Sequence, residues 1–200
     1  MVCLMDYSSP TIRAVAIDAV RNAFRHNHLT VPSNVVDVIV LHLCDPYVVV
    51  HKSAVNAFRF WHIPLTKLQR SEAFTALINI WNAYSKDPNE KFFMDDIADA
   101  MLSVASNNTN LRHRTLSLIC EYLPTGEVLV DSKLCTQLIY NTEADASISA
   151  AVALPLITCL GRYYRDPHRH GRDWREDAAD WLSSLSTQGW RYIRDEFNCC

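Results

Sequence analysis

The chain has 200 residues, 49% of them hydrophobic and 20% charged, a composition that suits a packed globular protein and excludes disordered and collagen-like classes. A formal charge of −3 and a pI near 6.2 exclude any global attraction to nucleic acid or anionic membrane, so such binding would have to be local. Only four glycines are present (Gly126, Gly161, Gly171, Gly189), too few for the many hairpins of an all-β chain, and the expected class is all-α.

The first expected helix runs from about Pro10 to His26. Ser9 followed by Pro10 is N-cap and first-turn chemistry, and Ile12, Val15, Ala16, Ala19, Val20, Ala23 and Phe24 recur at helical spacing. The second follows Pro32-Ser33 and reaches Leu43. Its apolar residues at 35, 36, 38, 39, 40, 41 and 43 cover most of the circumference, and Asp37 and His42 alone interrupt them. A helix that is apolar all round needs cover all round. Val35, Val36, Ile39, Val40 and Leu43 complete an inward stripe, which leaves Val38 and Leu41 on the outward side as the expected partner-binding residues. Their cover would come from another protein, a second subunit or upstream repeats of a longer chain.

The third helix is expected from Pro46, with Val50, Ala54, Ala57, Phe58 and Trp61 inward, and stops before Pro64. The fourth, about Leu65 to Tyr84, carries Phe74, Leu77, Ile78, Trp81 and Tyr84 in register. The fifth, near 90–105, is an irregular extra element with Phe93, Ile97, Ala100, Met101 and Val104 inside. Asp95, Asp96 and Asp99 fall outside that stripe and read as the solvated start that a helix dipole favours. The sixth follows the Asn107-Asn108-Thr109-Asn110 caps to Leu123, where Pro124-Thr125-Gly126 closes it. Four more are expected at 132–140, 146–164 with a kink at Pro155, 172–185 and 187–197, making about ten helices in one domain over 1–200.

An internal repeat runs through this series. Ile12-Arg13, Ala16-Ile17 and Ala19-Val20 recur as Val50-His51, Ala54-Val55 and Ala57-Phe58, 38 residues later, each copy behind a proline. Weaker copies start at Leu111-Arg112 and at Ile148-Ser149, 37 residues apart. Asp45-Pro46, Val50-His51, Ala54 and Ala57 resemble the first helix of HEAT repeats, with histidine in the arginine position, and Pro10, Ile12-Arg13, Ala16 and Ala19 resemble it with serine for aspartate. The likeness covers about residues 8–85 and is looser beyond. It implies an α-α superhelix of antiparallel helix pairs, in the manner of HEAT or armadillo solenoids, that serves as a scaffold or adaptor surface and carries no catalytic residues.

The seven cysteines form no C-x-x-C, and without a secretory leader they are expected as reduced thiols of a cytoplasmic protein. The longest apolar run is too short to cross a bilayer. His26-x-His28 and His168-x-His170 lack a third ligand at a metal interval, so neither metal nor cofactor is expected. No phosphate loop, nucleophile elbow or H-E-x-x-H occurs, so no enzyme activity is expected. Trp61, Trp81 and Trp181 read as core, while Trp174 and Trp190 sit nearer helix starts.

One charged segment stands above background. From 162 to 175, Arg162, Arg165, Arg169, Arg172 and Arg175 are interleaved with Tyr163, Tyr164 and Trp174, a pattern suited to phosphate contacts and base stacking. A solvated loop paired with Asp166, Asp173, Glu176 and Asp177 is the plainer account. The leading expectation is therefore a non-enzymatic scaffold for protein partners or self-association. The alternative is a nucleic-acid-binding solenoid, even a DNA-glycosylase-like one, that uses the 162–175 arginines.

Overall fold

The structure is a computed structural model that describes residues 2–27, 31–60, 65–87 and 91–125. Seven helices and no strand occur among the described residues: α1 (Val2–Met5), α2 (Pro10–Asn27), α3 (Ser33–His42), α4 (Val48–Phe60), α5 (Lys67–Tyr84), α6 (Lys91–Val104) and α7 (Thr109–Thr125). The chain divides into two compact units, Met1–Arg112 and His113–Cys200. The helices expected from 132 to 197, and the kink at Pro155, lie outside the described residues.

Within the first unit like packs on like. Helix α2 lies against α4 and α4 against α6, while α3 lies against α5. The two rows are joined where α3 meets α4 and α5 meets α6. The short α1, which the sequence reading does not anticipate, rests on α2 and α3 and seals Met5 completely. The core between the rows is made by Ile17, Val36, Ile39, Leu43, Val50, Ala54, Phe58, Leu77, Ile97 and Met101, all buried. Each large side chain there contributes about 1.5–3 kcal/mol from apolar burial.

Local chemistry explains most helix ends. Thr66 and Gln69 form a capping box at the start of α5: the Gln69 N–H donates to Thr66 Oγ1 at 3.2 Å, and the Thr66 N–H donates to Gln69 Oε1 at 3.0 Å. At α7 the Asn108 side chain accepts the Leu111 N–H at 3.1 Å. Helix α4 begins at Val48 and not at Pro46, because Asp45 is otherwise engaged. Its Oδ1 accepts the Tyr47 N–H at 3.0 Å in an Asx turn, so residues 45–47 form a bend ahead of the helix.

The inward face of α2 differs from the expected stripe. Ala14, Ala16, Ile17 and Val20 are buried, whereas Ile12, Val15 and Ala19 are exposed. Apolar residues occur on nearly every side of this helix, and the packing of α4 and α1 selects the arc centred on Ile17. At the 38-residue spacing Ala16, Ile17 and Val20 keep buried counterparts in Ala54, Val55 and Phe58, while exposed Ile12, Val15 and Ala19 stand opposite buried Val50, Ser53 and Ala57. For the other row Val35, Val36, Ile39, Val40 and Leu43 match Ala73, Phe74, Leu77, Ile78 and Trp81, a spacing of 38. The two rows thus share a 38-residue spacing, with α2 against α4 and α3 against α5.

Candidate functional site

The outward edge of α3 is the surface that the sequence singles out. Its stripe of Val35, Val36, Ile39, Val40 and Leu43 is buried. Val38 is half-buried, and Leu41 keeps 65% of its surface in water. His42, an expected interruption of the apolar run, is buried instead, while Asp37 is exposed. The neighbouring α5 adds Leu68, 67% exposed, which the sequence reading does not single out. A signal for it exists: Leu68, Glu72, Thr75 and Asn79 form the exposed arc of α5, opposite Ala73, Leu77 and Ile80.

A buried glutamine holds these two helices in register. Gln69 Nε2 donates to Asp37 Oδ1 at 2.6 Å, to Ser33 Oγ at 2.9 Å and to the Ser33 carbonyl at 3.3 Å. It anchors the first turn of α3 to the first turn of α5, so Leu41 and Leu68 sit on a rigid pair and not on loops.

The other row has its own polar links, between residues 32 to 40 positions apart. Arg13 reaches from α2 to Asp45 with a two-pronged bond, Nε to Oδ2 at 2.9 Å and Nη2 to Oδ1 at 3.1 Å. Its third arm, Nη1, donates to the Tyr7 and Ser8 carbonyls at 2.8 and 2.9 Å, and the guanidinium lies 5.6 Å from the Tyr47 ring centroid. Burial by itself raises the Asp45 carboxyl. The Arg13 bond, the Tyr47 N–H and the charges of Arg13 and His42 outweigh it together and hold the group below its ordinary value. His42 Nδ1 stands 3.4 Å from Asp45 Oδ2. Its Nε2 is buried without a hydrogen-bond partner.

Further along, Ser53 of α4 donates to Asp18 of α2 at 3.2 Å. His51 Nε2 is hydrogen-bonded to the Tyr84 hydroxyl at 2.8 Å, and its ring stacks on Phe93. Arg59 of α4 bonds both Asp96 and Asp99 of α6, the latter at 2.9 Å. The acidic start of α6 is therefore not merely solvated: Asp95 is buried, and Asp96 and Asp99 are ion-paired to the preceding helix of the row. Sequence reasoning places these carboxylates outside the apolar stripe, but the arginine that reaches them lies 37 and 40 positions away.

Arg162, Arg165, Arg169, Arg172, Arg175 and Trp174 lie outside the described residues, as do Trp61, Trp181, Trp190, His28, His168 and His170. Trp81 is buried as core, and Cys3 and Cys44 are exposed thiols. Among the described residues no group of three or more His, Cys, Asp or Glu is placed to hold a metal ion, and no helix is long and apolar enough to cross a membrane. What the geometry offers is apolar surface on braced helices. Compared with known protein families, curated proteins and solved structures, the chain matches none.

Proposed function

We propose that this protein is a non-enzymatic scaffold or adaptor of HEAT-like solenoid build that binds other proteins, with Val38 and Leu41 on its docking edge. The observation that supports the reading is the recurrence of buried positions at a 38-residue spacing, with α2 packed against α4 and α3 against α5. Units that stack this way bury one continuous core and leave extended faces for partners, which is the use such arrays serve. Leu41 and Leu68 supply apolar contacts on such a face. A cytoplasmic location and the absence of a cofactor belong to the same proposal.

Capture from a native lysate on immobilised protein tests it. Wild type should retain specific proteins, and V38K/L41K should lose them while keeping its helical spectrum and cooperative melt. Unchanged capture by the variant would remove Val38 and Leu41 from the docking edge. Failure to retain any protein, together with DNA binding that weakens steeply with salt, would replace the reading by nucleic-acid recognition through the 162–175 arginines.

A further inference from the structure

We draw no further inference here: the strongest candidate, the exposed apolar flank of α2 at Ile12, Val15 and Ala19, whose counterparts Val50, Ser53 and Ala57 on α4 are buried, carries nothing because nothing in the structure shows what covers it.

Discussion

Arg13 and Asp45 show how one pair of side chains can tie a helix to the turn that starts its neighbour. Both are nearly out of water, with 11% and 6% of their side-chain surfaces exposed. Removing one member of such a pair strands the other's charge, which costs more than the bond's net contribution and is about 3–5 kcal/mol for buried pairs. Arg13→Ala should therefore lower the unfolding free energy from urea denaturation by an amount in that range, although it deletes little apolar area; a loss below about 1 kcal/mol would mean that water reaches Asp45 freely. The acid limb supplies a second check. Asp45 is held below its ordinary value of 3.8, so its contribution is fully present above that pH and disappears as pH falls through the lower native value. Asp45→Asn should be less stable than wild type at neutral pH and should lose less stability on acidification below about 4, read from urea midpoints at each pH. Neither residue is legible as a pair in the sequence, because 32 positions separate them and each alone resembles an ordinary surface charge.

At the scale of the helix, spacing located the elements and left their rotation open. Start and stop signals at Pro10, Pro64 and the Asn107–Asn110 cluster brought the ends of α2, α5 and α7 close to where they lie. Periodicity does equally well for α3, whose five-residue stripe is distinct from the rest of the helix. On α2 it fails, since nine apolar side chains between positions 12 and 24 offer more than one stripe and the letters do not rank them. The consequence is that Ile12, Val15 and Ala19, expected inside, are exposed, while Ala16, Ile17 and Val20 keep buried counterparts 38 residues on in Ala54, Val55 and Phe58. Ala54 and Ala57 are wholly buried on the helix that packs between α2 and α6. Enlarging either to Leu should overpack that contact and cost about 1–3 kcal/mol in thermal or urea unfolding. Neutrality at both would show that α4 can shift away from its neighbours.

For the whole molecule, circular dichroism should report a helix-dominated spectrum that a chelator does not change, with melting equally unaffected. Strand content, or unfolding on chelation, would contradict the helical rows and reveal a structural metal. Composition and periodicity by themselves determined the helical class and the approximate position of each helix from α2 to α7, because these depend on short-range spacing and caps that neighbouring residues carry. The outward side of α3 was legible for the same reason. Only the tertiary structure decided which arc of α2 is inside, that α1 buries its Met5 against α2 and α3, that Arg13 ties α2 to the turn before α4 and that Arg59 braces α4 to α6. Those features depend on which helix lies beside which, and contacts between residues some 30 to 40 positions apart leave no local spacing from which they can be read.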